Sequence, residues 1–337
     1  MVMETPLWTD AHRPTLSELP QEDVREHLRR AVDEPINLLL QGPKGAGKTA
    51  AARAMADEAH TDPDNDLVIV NVADFFGRTK SEIRQDPRFA PFLAGKSDMA
   101  KRDMINHVLK EVASYAPASG DYKTVVLDNA EAAREDFQQA LRRVMERYHR
   151  NTQFVVTTRQ PSKLIPPIRS RCFPVPVRAA TTDEIVEVLA RIVEREEVDY
   201  DEDGLEFVAG AADGDVREAI LGAQATAEDA GEITMNAAYE TLGEIGYDDE
   251  IESLLDDAEA GAFGHARSTL DDLLVDEGLS GDEVLDELLR VARSRYSDER
   301  LAELHRMAGD VDLDMTEGAN ERVHLSQLLA ELGRPES

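Results

Sequence analysis

Residues 36–59 read INLLLQGPKGAGKTAAARAMADEA. The opening INLLL is an apolar run bounded by polar residues, the pattern of a strand buried in a sheet. The closing AAARAMADEA reads as helix. Between them GPKGAGKT (Gly42, Pro43, Lys44, Gly45, Ala46, Gly47, Lys48, Thr49) satisfies G-x-x-x-x-G-K-[ST] in the strand–loop–helix setting that gives the pattern its meaning. Glycines let consecutive backbone N–H groups close around phosphate oxygens. Lys48 neutralises the outer phosphates, Thr49 offers its hydroxyl to Mg²⁺, and the helix N-terminus adds its dipole. A glycine-rich turn that matched by chance would owe nothing to either flank, so nucleotide binding is the strongest single inference in the chain.

Three further apolar, β-branched runs lie on either side of helical stretches: LVIVNV (67–72), KTVVLD (123–128) and QFVVTT (153–158). Helical patterns at 21–32, 48–60, 101–115 and 134–149 separate them. This alternation predicts an α/β fold with a parallel sheet over residues 1–177. A phosphate loop needs an acid at the end of a nearby strand to hold Mg²⁺, and KTVVLD supplies Asp128. After FPVPV (173–177) the β-rich runs stop and the remaining chain is expected to be helical. Thr181 with Glu184, and Ser280 with Glu283, form capping boxes that open two of those helices. Further helices are expected at 203–212, 215–229 and 234–242, and a linker near Gly243–Tyr247.

Composition narrows the class. Asp and Glu total 69 against 37 Lys and Arg, a formal charge of −32. Such a surface repels itself at low salt and is screened at molar salt, where the Debye length is about 3 Å. An acidic, lysine-poor chain of this kind suits a salt-loaded cytoplasm, as in halophilic archaea. The acid is spread along every segment, so it reads as adaptation to the solvent and not as an interaction tail. The single cysteine, Cys172, makes an internal disulfide impossible and reads as a buried, inert thiol. The histidines show no metal-ligand spacing. No run reaches the ~18–20 apolar residues needed to span a bilayer, and MVMETPLWTD has no leader pattern, so a cytoplasmic protein without membrane contact is expected.

Taken in order, the motifs resemble the replication factor C small subunit family, in its archaeal and, on the charge, haloarchaeal form. The resemblance runs through the Trp-containing leader LWTDAHRPTLSEL, the GPKGAGKT loop, VVLDNAEAAREDFQQALRRVMERY, IPPIRSRC, GDVREAI, and the late GAFGHARSTLDDLL and TEGANERVHLSQLLA. It implies an AAA+ P-loop core with a parallel sheet (1–177), a helical lid (178–243) and an all-helical collar (244–337). It implies ATP and Mg²⁺ as cofactors. The implied partners are large and small clamp-loader subunits in a hetero-oligomeric ring, a sliding clamp, and primer–template DNA. Among the site residues it places Arg13 and Pro14 near the adenine and Asp128 on Mg²⁺. Arg171 becomes an arginine finger for the neighbouring subunit's γ-phosphate, and Arg217 a nucleotide-facing sensor in the lid. It gives Arg142 and Arg143, on one helix, a choice between DNA phosphate and subunit contact.

Two positions depart from the family pattern. Asn129 stands where the family has the Glu that polarises the attacking water, and an amide cannot accept a proton as a carboxylate does. Glu131, two residues on, is the candidate replacement. Arg159 stands at the end of the FVVTT strand, where the family has an Asn. The expectation is a subunit that binds ATP, turns it over poorly in its own site, and lends Arg171 to its neighbour. The other readings are a different AAA+ DNA-remodelling ATPase of the branch-migration type, and a non-catalytic scaffold with a relic nucleotide site. The family pattern leaves 75–103 unexplained. Phe75, Phe76, Phe89 and Phe92 make it either a docking surface or packing over the core edge.

Overall fold

The computed structural model describes residues 6–85, 93, 99–118, 120–245, 247–317 and 320–333. The chain separates into two compact units, Met1–Tyr239 and Glu240–Ser337.

The first unit is built on a parallel sheet of five strands: β1 (Leu38–Gln41), β2 (Leu67–Asn71), β3 (Lys123–Asp128), β4 (Thr152–Thr158) and β5 (Phe173–Pro176). Their order is β2-β3-β4-β1-β5. Strand alternation sends side chains to two separate cores. Leu39, Val125, Leu127, Phe154 and Val156 face the core that includes Val108, Phe137 and Leu141. Leu38, Leu40, Val126 and Val155 face the other, with Leu28, Ala51 and Met55. Both faces are covered by helices, which is why β3 and β4 are buried from end to end and read as continuous apolar runs.

One detail of the sheet corrects the sequence reading. The run INLLL was expected to be strand throughout, but β1 begins at Leu38 and Ile36 is exposed. The reason is Asn37, whose Oδ1 accepts the N–H of Phe154 at 2.9 Å and fixes the strand entry. The expected strand FPVPV forms as β5 at the sheet edge and carries Pro174 and Pro176. Proline has no N–H for a further partner, and this strand pairs only with β1.

The lid is not purely helical. Asp199–Tyr200 pairs in parallel with Glu232–Ile233. Two-residue strands are too short to show a period, so nothing in the sequence signalled them. Around them stand the helices Thr182–Arg195, Glu202–Ala211, Val216–Ala230 and Met235–Ile245. The last of these runs through Gly243 to Ile245, so that part of the expected linker is helical.

The second unit is helical, with no strand among its described residues. Helices Asp248–Glu259, Phe263–Asp271, Gly281–Arg295, Asp298–Glu317 and Glu321–Leu332 share a core of Leu254, Leu270, Leu288, Leu304 and Leu328. Both expected capping boxes form, Thr181 with Glu184 and Ser280 with Glu283. No described helix is long and apolar enough to cross a membrane.

In segment 75–103 the described apolar side chains Phe76, Ile83, Leu93 and Met99 pack on the core. Phe76 meets Phe137 edge-on at 5.3 Å, and Ile83 and Leu93 are buried in the core. Phe89, Phe92 and the side chain of Phe75 lie outside the described residues.

Candidate nucleotide site

β1 ends at Gln41, the loop turns, and the helix Lys48–Ala59 begins. Each glycine here has a separate task. A Cβ on Gly42 would stand 1.7 Å from the carbonyl oxygen of Val177, so the loop can leave β1 only without a side chain there. Gly45 and Gly47 have positive φ, 68° and 84°, which L side chains rarely adopt. Gly47 is the N-cap of the helix and supplies no capping side chain, so the first-turn N–H groups are left for another acceptor. Lys48 is 8% exposed and donates from Nζ to the carbonyl of Pro43 at 2.5 Å. Burial pushes its pKa down from the usual lysine value, while Glu131 and Asp128 pull it back up.

The strand-end acid comes to the loop as expected. Thr49 Oγ1 donates to Asp128 Oδ1 at 2.6 Å, and Thr157 Oγ1 donates to the same oxygen at 2.6 Å. The N–H of Asn129 in turn donates to Thr157 Oγ1 at 3.1 Å. Asn129 sits at φ 55°, a left-handed turn that asparagine tolerates better than most residues. That turn lets Glu131 reach the same end of the site. Its carboxylate accepts from the N–H of Arg159 at 3.3 Å and from Arg159 Nε at 3.2 Å. Burial raises the Glu131 pKa, but backbone N–H groups, the Thr158 hydroxyl and Arg159 outweigh it, and the carboxyl stays below its usual range.

These groups open on a cavity of about 710 Å³. Lys44, Gly45, Ala46, Gly47, Lys48, Thr49, Asp128, Asn129, Glu131 and Arg159 line one end. Leader and lid line the other, with His12, Pro14, Leu19, Val188, Ile192 and Ile220. The GDVREAI motif explains how the lid arrives there. Asp213 and Gly214 take positive φ to make the turn, and Asp215 caps the helix by accepting the N–H of Glu218 at 3.0 Å. A Cβ on Gly45 would lie 1.8 Å from Asp215 Oδ1, so this helix starts directly on the phosphate loop. Arg217, in its first turn, lines the cavity.

Other sequence candidates fall elsewhere. Arg13 is exposed and does not line the cavity, whereas its neighbours His12 and Pro14 do. Gly42 and Pro43, at the start of the loop, do not line the cavity. Arg171 is away from this chain's cavity. It donates to the carbonyl of Pro167 at 2.7 Å and to Glu146 at 2.5 Å, and Arg142 donates to the same Glu146 oxygen at 3.1 Å. Arg143 donates to the Gln139 carbonyl. Cys172 is buried, and burial pushes its thiol up to about 12, which leaves it unreactive. Trp8 is a packing residue whose backbone N–H donates to buried Gln224 of the lid.

Sequence reading missed His12, Glu18, Arg191 and Arg195 at the cavity, because leader and lid meet only in space, and it missed Lys163, which follows β4. Glu18 ties leader and lid together. Its carboxylate accepts the Thr15 backbone N–H at 2.8 Å and pairs with Arg195. The Thr15 N–H foremost, and then Arg195, overcome burial and bring the Glu18 carboxyl down to about 2. A folded value below the ordinary glutamate 4.5 gives stability that is present above 4.5 and lost as pH falls through 2. Glu18→Gln therefore lowers unfolding stability by about 1 kcal/mol at neutral pH, after allowance for solvent screening of a partly exposed pair. The gap to the wild type narrows below pH 4.5, which denaturant titrations at pH 7 and pH 3 check.

A five-stranded parallel sheet in this order, carrying a glycine loop, a strand-end acid and a helical lid bearing an arginine, is the fold of an AAA+ protein. Solved structures agree on the fold. One of Thermotoga maritima RuvB, a Holliday junction branch migration motor, matches with a TM-score of 0.55 and 16% identity over 82% of this chain and 85% of that one. Relatives in sequence decide the family. The chain is 32% identical over 331 residues to the replication factor C small subunit of Halobacterium salinarum, covering 96% of this chain and 95% of the relative. It is 33% identical over 334 residues to that of Staphylothermus marinus, covering 97% and 94%. The model of the replication factor C C-terminal domain matches residues 247–331, and that of the DNA polymerase III delta subunit matches residues 22–181. The chain belongs to the replication factor C small subunit family.

Proposed function

We propose that this chain is an ATP-holding small subunit of a sliding-clamp loader. It assembles with large and small sister subunits in a ring and helps place a clamp on primer–template DNA. One observation carries the reading of its own site. Lys48, Thr49 and Asp128 converge on the cavity as nucleotide binding requires, while the position that should bear the general base is an amide, Asn129.

The residues fit ATP with Mg²⁺. The loop N–H groups and Lys48 would take the phosphates, Thr49 and Asp128 would hold Mg²⁺, and the leader and lid wall of His12, Pro14, Val188 and Ile192 would take the base. Bound Mg²⁺ would offset charge on the outer phosphates. Arg217 faces the cavity from the lid and would report nucleotide state to it. Arg171 would serve the γ-phosphate of the neighbouring subunit. Arg142, half-buried, and Arg143, exposed, both on the helix Glu135–Tyr148, are candidates for DNA phosphate. At high salt counterion release adds little to such contacts, so enclosure within a ring matters more.

A second reading has one observation in its favour. Glu131 also lines the cavity and can stand in for the missing base. The branch-migration reading has the fold likeness alone behind it, and a relic scaffold has no need of Lys48 and Thr49.

The reading is tested by titrating ATP into the chain in molar KCl, and by reconstituting the ring and assaying clamp placement on primed DNA. ATP binding, together with loading that depends on this chain, supports it. A chain that binds no ATP, or a ring that loads equally well without it, overturns it.

A further inference from the structure

The leader is anchored on both sides of the cavity. Its later half belongs to the core, where Leu16 and Leu19 are buried with Leu28, Ala51 and Met55. Its earlier half belongs to the lid. Trp8 is 6% exposed, and its backbone N–H donates to Gln224 Oε1 at 2.8 Å. The same Gln224 amide donates from Nε2 to the carbonyl of Pro6 at 3.4 Å and to Glu228 at 2.8 Å. Nearer the cavity, His12 meets Glu196, Arg191 donates to the Glu18 carbonyl at 2.9 Å, and Arg195 pairs with the Glu18 carboxylate.

Residues 13–15 therefore cross from lid to core, and Pro14 lines the cavity on the way. The covalent crossing comes later in the chain, between Val177 in the core and Thr181, which caps the first helix of the lid. Core and lid are thus tied at two places. A nucleotide held between them is released when they part, and the leader is the tie that can come undone without breaking the chain. Magnitude decides which contact carries that tie. The ion pairs are partly exposed, with Glu196 at 34% and Arg195 at 49%, and such pairs contribute little in molar salt. Gln224 is 0% exposed, so no water replaces the hydrogen bonds it makes to the leader. Neither Trp8 nor Gln224 lines the cavity.

We propose that Gln224 is a positioning residue: by latching the leader to the lid, it sets how fast nucleotide enters and leaves a cavity that it does not touch. With the latch closed the cavity opens rarely and bound ATP stays. With the latch loosened it opens more often, for entry and exit alike. This deepens the ATP-holding role proposed above and rests on it. The kinetic signature separates a latch from a ligand contact. Loss of a contact speeds dissociation and weakens affinity. Loss of a latch raises the population of the open form, which speeds association and dissociation together as long as the closed form still dominates.

The test is stopped-flow binding of ATP and ADP bearing a fluorescent N-methylanthraniloyl group, on the full chain in molar KCl. Gln224→Leu keeps most of the side-chain volume and removes both hydrogen-bonding atoms. It should speed association and dissociation about tenfold each, the scale of one buried hydrogen bond, and leave affinity within about threefold. ATP and ADP should respond alike, because the latch touches no phosphate. Trp8→Ala should act in the same direction, while Trp8→Phe, which keeps a ring and the N–H, should stay near wild type. Trp8 is the one tryptophan of the chain, so its emission reports the latch, and in Gln224→Leu it should become more open to acrylamide quenching. Two results overturn the proposal. In one, Gln224→Leu and Trp8→Ala melt lower but exchange nucleotide at wild-type rates, which makes Gln224 a brace alone. In the other, dissociation rises without association, which makes the leader a ligand contact. Both leave the nucleotide site standing. If Gln224→Leu does not fold, Trp8→Ala against Trp8→Phe decides by the same rates. Absence of wild-type nucleotide binding removes the site itself, and the proposal with it.

Discussion

Lys48→Ala should weaken ATP binding by more than a hundredfold. Its ammonium is buried against the loop, with Nζ 2.5 Å from the Pro43 carbonyl. In that position it is the one lysine among the groups that line the loop end and are buried there. Truncating one member of a buried, charge-assisted contact costs about 3 kcal/mol, and each 1.4 kcal/mol is about tenfold in affinity. Folding should not suffer. Burial already disfavours the charged lysine, so its removal relieves a desolvation cost while the glycine geometry of the loop remains. Calorimetry and a melting curve on the same sample separate the two effects. Affinity within threefold of wild type would mean that the phosphates are held elsewhere.

Arg171→Ala should have a comparable effect at a different address. In the assembled ring it should lower hydrolysis at the neighbouring subunit's site by on the order of a thousandfold, the scale of an arginine finger. This chain's own ATP affinity should not change, because Arg171 does not line its cavity. Melting should not change either, since Arg171 and its partner Glu146 are both solvent-exposed. Arg171 is held ready by the Pro167 carbonyl and by a Glu146 oxygen shared with Arg142. Single-site turnover in rings carrying the variant checks the prediction. Unchanged turnover at the neighbour, with the ring intact, would remove the finger from the account.

The parts of this molecule that were legible in the sequence are those set by local chemistry. The phosphate loop announces itself because glycine adopts φ of 68° and 84° without strain and leaves room for the close approach of Val177. Continuous apolar runs announce β3 and β4 because both sheet faces are covered. Asp215 and Arg217 are legible as a motif because one caps the helix and the other sits in its first turn.

What the sequence hid depends on distant partners. His12 and Glu18 belong to the cavity only because the leader lies against the lid. That contact is carried by pairs such as Trp8 with Gln224 and Glu18 with Arg195. The two-residue strands of the lid are too short for a periodic signal. Glu131 was visible as the candidate base and Arg159 as a departure, but their pairing was not. It depends on a left-handed turn at Asn129 and on β3 and β4 being neighbours in the sheet.

The central claim is that this chain holds ATP but lacks the base to turn it over. It is tested most directly by steady-state turnover of the purified chain in molar KCl, with clamp and primed DNA present. Wild type, Asn129→Glu and Lys48→Ala are compared. The account predicts wild-type turnover close to that of Lys48→Ala despite bound ATP, and a rise of about a hundredfold in Asn129→Glu, the scale of a restored general base. Wild-type turnover far above Lys48→Ala, and unmoved by Asn129→Glu, would contradict it and make Glu131 the working base of an ordinary motor subunit.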